Sequence, residues 1–195
     1  EGVLGMEQGA RCKPENSNWL HFIRNAVGPM DFTPGSMFSA QPEDNRSTGA
    51  NPMGTGTRAY QMALYVVFES PLQMLADNPV LYRREHPCTE FLAAVPTTWD
   101  SLRVLRAACG REVVVARRKG DKWYVGGITN DRPYTTEIAL DFLPAGRTFT
   151  MTSFEDGVNA DLQATDYRKR VREVDASTVV KVEMVRNGGW AAVIE

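Results

Sequence analysis

The chain has 195 residues, of which 43% are hydrophobic and 24% charged, an ordinary composition for one large or two small soluble globular domains. Residues 1–97 hold 7 Lys+Arg against 10 Asp+Glu, and residues 98–195 hold 15 against 14. Neither half is basic, so the composition gives no electrostatic support to a nucleic-acid-binding surface. We interpret the basic runs Arg117–Lys119 and Arg168–Arg170 as solvated strand ends.

Three cysteines, Cys12, Cys88 and Cys109, are too few and too widely spaced for a zinc finger or a disulfide framework. Three free thiols and one bridge plus one free thiol both remain open. The chain starts at Glu1 rather than at a methionine, so we expect it to begin inside a longer protein.

The first 56 residues are rich in Gly, Pro, Asn and Ser and contain two structured pieces. Apolar spacing predicts a helix over Trp19–Val27 that ends at Gly28, followed by a short buried strand over Met30–Pro34. The polar stretch 39–56 is typical of a long surface loop.

The run from Ala59 to Phe68 contains only one polar residue, Gln61, and Pro71 follows it. Such a run predicts a helix covered on all sides, a core helix between two layers, and it is too short to span a bilayer. Residues 80–95 then predict one or two short helices that stop at Pro96. Helices with a short strand form an α/β pattern, as in a (β/α) barrel, but two helices and one strand are too few for a complete barrel. We therefore interpret the first hundred residues as a fragment of something larger.

From Leu102 onward the apolar residues alternate with period two and turn residues recur. A hairpin is predicted between Val113–Ala116 and Trp123–Val125, with its turn at Lys119–Lys122. Further predicted strands are Tyr134–Leu140, Thr148–Phe154, Arg168–Val174, Thr178–Val185 and Trp190–Ile194. Seven or eight short strands at this spacing predict an antiparallel β-sandwich or barrel over residues 98–195.

Chemistry is suggested at two places in the first part of the chain. Glu1 and Glu7 are separated by a segment with two glycines, which lets both carboxylates converge on a hard cation or act as a proton donor. Two solvated glutamates are the alternative. Asp31 lies in the predicted strand where barrel proteins place substrate-facing groups, with a helix cap or a structural salt bridge as its alternative.

The tryptophans of the second part suggest another candidate binding site. Trp99, Trp123 and Trp190 could form a sugar-stacking platform, but the sequence favours core and interface anchors. His21 is isolated beside Phe22 and is interpreted as a core or surface residue rather than a ligand, and His86, next to Pro87, is interpreted as a loop residue.

Several blocks of the chain resemble glycoside hydrolase family 97. They are EGVLGME (1–7), FIRNAVGPMDFTPG (22–35), TRAYQMALYVVFESPLQMLADNP (57–79), VPTTWDSLRVL (95–105), VARRKGDKWYVGGITN (115–130), DGVNAD (156–161) and GGWAAVI (188–194). The resemblance covers nearly the whole chain in the family's order. It implies that residues 1–97 form the C-terminal part of a (β/α)8 catalytic barrel with its last helix, and that residues 98–195 form a C-terminal β-sandwich domain.

The resemblance implies a calcium-dependent hydrolase of α-glucosidic or α-galactosidic bonds that is periplasmic or secreted. Glu7 resembles the general acid, Glu1 and Glu7 resemble Ca2+ ligands, and Asp31 is a weaker candidate for substrate binding. The second catalytic carboxylate and the other Ca2+ ligands lie upstream in the family. We therefore expect the 195 residues alone to be inactive. The alternative function is a carbohydrate-binding or purely structural β-sandwich without catalysis of its own.

Overall fold

A computed structural model describes residues 13–48 and 53–195. The helices are α1 (Pro14–Ile23), α2 (Arg58–Val67), α3 (Pro79–Arg84) and α4 (His86–Ala94), and a 3-10 turn spans Asn25–Val27. The strands are β1 (Ser39–Ala40), β2 (Gly54–Thr55), β3 (Ser101–Ala108), β4 (Glu112–Lys119), β5 (Lys122–Thr129), β6 (Tyr134–Ala139), β7 (Phe149–Asp156), β8 (Tyr167–Val174), β9 (Val179–Met184) and β10 (Gly189–Ile194). None of these helices has the length and apolar character needed to cross a membrane.

The strands after residue 100 form two antiparallel sheets. Six of them follow the order β3-β4-β5-β10-β7-β8, and β6 pairs with β9 in a second sheet. The predicted hairpin is β4–β5, in which Lys119 pairs with Lys122 across Gly120 and Asp121. Gly120 has a φ of 58°, the left-handed conformation that such a tight turn requires. The predicted antiparallel β architecture of the second part is thus confirmed.

The central strands of the large sheet are buried on both faces because their alternate residues enter two different cores. Val113, Val115 and Tyr124 face α2, whereas Val114, Ala116 and Val125 face the β6–β9 sheet. In β6, Ile138 is buried while Thr135 and Glu137 are exposed, as its alternation predicted. The two sheets therefore form a sandwich, and α2 covers the outer face of its larger layer.

Helix α2 is buried along its whole length, as the apolar run predicted. The Thr57 hydroxyl caps its first turn by accepting a hydrogen bond from the Tyr60 amide at 3.0 Å. The sheet lies on one side, and the segment 30–37 with Phe32 lies on another, where the Phe32 and Phe68 rings meet edge to face at 4.9 Å. The predicted core helix between two layers is confirmed.

Three predictions for the first part of the chain need correction. Helix α1 begins at Pro14, five residues before the predicted Trp19, because proline fits the first helical position. The predicted strand Met30–Pro34 is buried but, among the described residues, pairs only through one parallel bridge between Phe32 and Gln73. The polar stretch 39–56 contains β1 and β2, which pair in parallel. The described residues do not show a barrel, so the barrel assignment of residues 1–97 stays a prediction.

Of the two basic runs interpreted as solvated strand ends, Arg168–Arg170 is exposed at the start of β8, as predicted, whereas Arg117 in the other run is buried. Arg117 is 3% exposed, its guanidinium donates to the Val67 carbonyl at the end of α2 at 3.2 Å, and it lies over the Trp99 ring. Burial lowers the pKa of Arg117. In β8, Arg168, Arg170 and Arg172 all approach the buried Glu155 on β7, at 2.9 to 3.4 Å.

Candidate functional site

The two predicted catalytic and calcium-binding glutamates, Glu1 and Glu7, lie outside the described residues, as does Cys12. Their assigned roles therefore remain predictions. Of the two described cysteines, Cys88 is buried and Cys109 is exposed, and both are free thiols.

Asp31, the third predicted site residue, is half-buried between two buried neighbours, Met30 and Phe32. The Met30 amide donates to the Glu69 carbonyl at 3.1 Å, and the Phe32 carbonyl accepts from the Met74 amide at 3.3 Å. The backbone on either side of Asp31 is thus fixed along the segment that follows α2. Within residues 13–48 and 53–195, this segment is the backbone partner that positions Asp31.

The backbone that follows Asp31, from Pro34 to Phe38, is held by side chains from α2 and from the residues before α3. We call it the Pro34–Phe38 turn. The Gln61 carbonyl oxygen accepts from the amides of Gly35 (3.1 Å) and Ser36 (3.4 Å). The Asp77 carboxylate accepts from the Ser36 hydroxyl and from the amides of Met37 and Phe38. A turn whose buried amides all find acceptors is rigid, because breaking any of these bonds leaves a polar group unsatisfied.

Two tyrosines and an arginine bind the carbonyls of the same turn. The Tyr82 hydroxyl donates to the Gly35 carbonyl at 2.9 Å, and the Tyr65 hydroxyl lies between the carbonyls of Met74, at 2.7 Å, and Pro34, at 3.1 Å. The Arg58 guanidinium donates twice to the Met37 carbonyl, at 2.9 and 3.1 Å. Burial raises the pKa of Tyr82 to about 12 and also raises that of Tyr65, so both phenols keep the proton they donate.

Gly35 is required inside this clamp. Its φ is +84°, and a Cβ there would lie 2.7 Å from the Tyr65 ring. Burial raises the pKa of Asp77, and its hydrogen bonds from Phe38, Met37 and Ser36 oppose that rise. Sequence patterns did not predict the positioning residues Asp77, Gln61, Tyr65 and Tyr82. The one visible signal was Gln61, a single amide inside an otherwise apolar run.

A second polar constellation surrounds Asp156 at the end of β7. Its carboxylate accepts from the Thr57 hydroxyl at 2.6 Å and from the amides of Val185 (3.0 Å) and Gly189 (3.2 Å). Asp156 therefore ties the N-terminus of α2 to the turn before β10. An open groove of about 540 Å³ adjoins it, and its walls carry charged side chains from both sheets, Arg168 and Glu183, and from two loops, Asp161 and Arg186.

The titration of Asp156 predicts how stability depends on pH. Burial raises its pKa to about 7, above the ordinary carboxyl value of 3.8, so the folded chain holds this proton where the unfolded chain has lost it. The contribution of Asp156 to the free energy of unfolding is therefore greatest below about pH 4. It falls as pH rises towards 7, with a slope of up to about 1.4 kcal/mol per pH unit. Urea unfolding of wild type and Asp156→Asn across that range should show the slope in wild type and its loss in the variant. Parallel curves for the two proteins would contradict the assignment.

The described residues contain no group of three or more His, Cys, Asp or Glu that could hold a metal ion. The calcium prediction rests on Glu1 and Glu7, which the structure does not describe. Carboxylate oxygens are nonetheless the donor type that Ca2+ prefers, so those two residues suit the ion chemically.

The tryptophans do not form a sugar platform. Trp123 and Trp190 are buried between the two sheets, and Trp99 is half-buried with its ring against Tyr124 at 5.5 Å. These rings are core and interface residues, as the sequence favoured.

Comparison with known proteins places the chain in a family. Residues 98–195 match the family model described as "Glycosyl-hydrolase 97 C-terminal, oligomerisation". Over its full length the chain is 41% identical to a retaining alpha-galactosidase of Bacteroides thetaiotaomicron and covers 30% of it. It is 31% identical to a probable retaining alpha-galactosidase of Streptomyces bingchenggensis, with 99% of this chain and 27% of that protein aligned.

The fold agrees with solved structures of the same kind. A glycoside hydrolase family 97 enzyme from Pseudoalteromonas sp. strain K8, solved with acarbose, superposes with a TM-score of 0.82 at 35% identity, over 94% of this chain and 28% of that one. A beta-arabinopyranosidase superposes with a TM-score of 0.74 at 28% identity, over 92% and 27%. The chain thus spans less than a third of the length of these relatives. On this evidence the chain belongs to glycoside hydrolase family 97.

Proposed function

We propose that this chain is the C-terminal part of a retaining glycoside hydrolase that cleaves α-galactosidic bonds. The observation that carries the proposal is the 41% identity, over the whole chain, with a protein named a retaining alpha-galactosidase. The second curated relative carries the same activity in its name. α-Glucosides are the second candidate substrate class, because the sequence blocks resemble enzymes of both specificities.

In this mechanism Glu7 protonates the glycosidic oxygen as the bond to the sugar breaks. A retaining enzyme also needs a carboxylate nucleophile that forms the glycosyl-enzyme intermediate, and the part of the protein upstream of this chain would supply it. Glu7 then takes a proton from the water that releases the sugar. Glu1 and Glu7 would also hold Ca2+, which supplies positive charge beside the substrate and orients its hydroxyl groups.

The described residues contribute positioning. Asp31 is proposed to face the substrate pocket, and the Pro34–Phe38 turn fixes the backbone that follows it through Gln61 and Asp77. One general acid and part of a metal site cannot complete both steps of a retaining reaction. The chain alone is therefore proposed to be inactive. Residues 1–97 are proposed to belong to a catalytic barrel.

Replacing Glu7 by Gln in the full-length protein tests the catalytic role. For an alkyl α-galactoside, whose leaving group needs protonation, kcat should fall by about 10² to 10⁴. For an aryl α-galactoside with a good leaving group the fall in the rate of glycosylation should be much smaller, because that group departs without full protonation.

Glu15→Gln is the matched control, since Glu15 is exposed in the first turn of α1. It should leave both rates unchanged. Equal losses on the two substrates, or no loss on either, would remove Glu7 from the role of general acid. Calcium titration of the same variants by calorimetry gives a separate readout, with weaker binding expected for Glu7→Gln alone.

Two roles without catalysis are possible for residues 98–195, carbohydrate binding and a purely structural role. The buried tryptophans give no support to stacking of sugar rings. The description of the family model that matches this segment names oligomerisation. We therefore propose that this β-sandwich supports the barrel through α2 and takes part in the assembly of the enzyme.

A further inference from the structure

A polar segment of the first part of the chain, residues 41–48, follows the Pro34–Phe38 turn through β1. The chain then returns through β2, where the Gly54 amide donates to the Phe38 carbonyl at 2.9 Å, and enters α2. The segment therefore belongs to the connection between the backbone that carries Asp31 and helix α2. In a (β/α)8 barrel, the connection from a strand to the next helix lies at the mouth, where the substrate binds.

The β-sandwich anchors the start of this segment. Gln41 is 1% exposed, although most of residues 42–48 are exposed. Its side-chain amide donates to the carbonyl of Ala160, at 3.2 Å, and to that of Arg186, at 3.1 Å. Its carbonyl oxygen accepts from the side-chain amide of Asn187 at 3.0 Å. All three partners lie in loops of the sandwich, so the second part of the chain satisfies a buried polar side chain of the first part.

The turn between β9 and β10 provides a second tie. Its Arg186 guanidinium forms an ion pair with the Glu43 carboxylate, two residues beyond Gln41. The next residue, Asn187, has a φ of 53°, a conformation that asparagine adopts more readily than most residues, and its carbonyl accepts from the Thr57 amide at 2.9 Å. One turn of the sandwich thus contacts the connection at its start, near Gln41, and at its end, where α2 begins.

We propose that the β-sandwich positions residues 41–48 as a wall of the substrate pocket, with Gln41, Arg186 and Asn187 as positioning residues that act through this segment. The polar side chains of the segment are hydrogen-bond donors and acceptors suited to the hydroxyl groups of a galactoside: Asp44, Arg46, Ser47 and Thr48. The proposal rests on the catalytic barrel proposed for residues 1–97. It adds a role in substrate binding to the support and assembly proposed for residues 98–195.

Kinetics of the full-length protein on an α-galactoside test the proposal. Glu43→Lys places two cations together and should loosen the segment. KM should rise by about three- to tenfold while kcat stays within about twofold of wild type, because the lost contacts bind the substrate equally in the ground state and the transition state. Adding Arg186→Glu restores a pair of opposite charges and should recover most of the lost KM. The thermal midpoint should change little, since the Glu43 side chain is 51% exposed.

Glu183→Lys is the matched control. Glu183 is also an exposed glutamate of an ion pair, with Lys181 at 2.7 Å, but the pair lies within β9. The control should leave KM unchanged. Gln41→Ala removes the buried anchor and should raise KM further, and its thermal midpoint is measured in parallel because three buried partners lose their bonds. Hydrogen exchange should show the amides of residues 43–48 exchanging faster in Glu43→Lys and Gln41→Ala than in the control.

An unchanged KM in Glu43→Lys would overturn the proposal, as would an equal rise in Glu183→Lys. A fall in kcat at constant KM would also overturn it, because that pattern indicates a smaller fraction of folded enzyme and no role in substrate binding. Exchange requires no substrate. A wild-type protein that does not hydrolyse α-galactosides would therefore end the proposed function and the pocket role together, while exchange would still decide whether the sandwich anchors the segment.

Discussion

Gly126→Ala is expected to destabilise the chain by about 3 kcal/mol, or about 10 °C in Tm for a protein of this size. Gly126 lies on β5 where α2 crosses the sheet, and a Cβ there would be 2.8 Å from the Val66 Cβ and 2.9 Å from the Ala63 carbonyl oxygen. The Ala63 contact involves helix backbone, which cannot rotate away. The added methyl must push α2 off the sheet, and α2 is buried on all sides. Urea unfolding followed by tryptophan fluorescence measures the loss.

The neighbouring residue provides the control. Gly127 points to the opposite face of the same strand, and a Cβ there would meet the ends of two side chains, Val114 at 3.3 Å and Met184 at 3.4 Å. Methionine adapts easily, so Gly127→Ala should stay within about 1 kcal/mol of wild type. If the two variants lost equal stability, the close approach of α2 would not be the reason for glycine at position 126.

Arg58→Ala is the second variant for which we expect a large effect, a loss of about 3 kcal/mol. The buried Arg58 guanidinium binds the Met37 carbonyl and forms an ion pair with Glu85 at 2.8 Å. Truncation leaves the buried Met37 carbonyl without its donor and the largely buried Glu85 carboxylate without its nearest cation, which costs more than the ion pair itself contributes. It also removes one of the bonds that hold the Pro34–Phe38 turn. Urea unfolding gives the stability, and amide exchange at Phe38 reports on the turn.

Arg84 offers a matched comparison because it approaches the same carboxylate, Glu85, at 3.6 Å. Its side chain is 76% exposed, so Arg84→Ala should change stability by no more than about 0.5 kcal/mol. Similar losses in Arg58→Ala and Arg84→Ala would show that the charge of Glu85, and not the buried position of Arg58, decides the effect.

Local pattern predicted most of the second part of the chain and the core helix. The alternation in Tyr134–Leu140 and the turn residues of Lys119–Lys122 carry their information within a few residues, and each became the predicted strand or hairpin. The apolar run Ala59–Phe68 likewise predicted a buried helix from its own residues. These features need no knowledge of distant partners.

The features that could not be predicted depend on contacts with residues that are distant in the sequence. Gln41 lies in a stretch that is typical of a surface loop, yet it is buried because its amide donates to the carbonyls of Ala160 and Arg186. Arg117 is part of a charged run, yet Val67 and Trp99 cover it. The roles of Asp77 and Asp156 likewise depend on the backbone groups they bind, which no local pattern reveals.

Strand β10 has a consequence for how the protein is made. It lies in the middle of the large sheet, between β5 and β7, although it follows both in the sequence. During translation β5 and β7 therefore each keep one unpaired edge until residues 189–194 leave the ribosome. α2 stays uncovered longer still, because it precedes β5 in the sequence and packs against both β5 and β10. The nascent protein thus exposes, until this strand is synthesised, a helix whose residues are all buried in the folded chain, which makes it a natural client for chaperones that bind such segments.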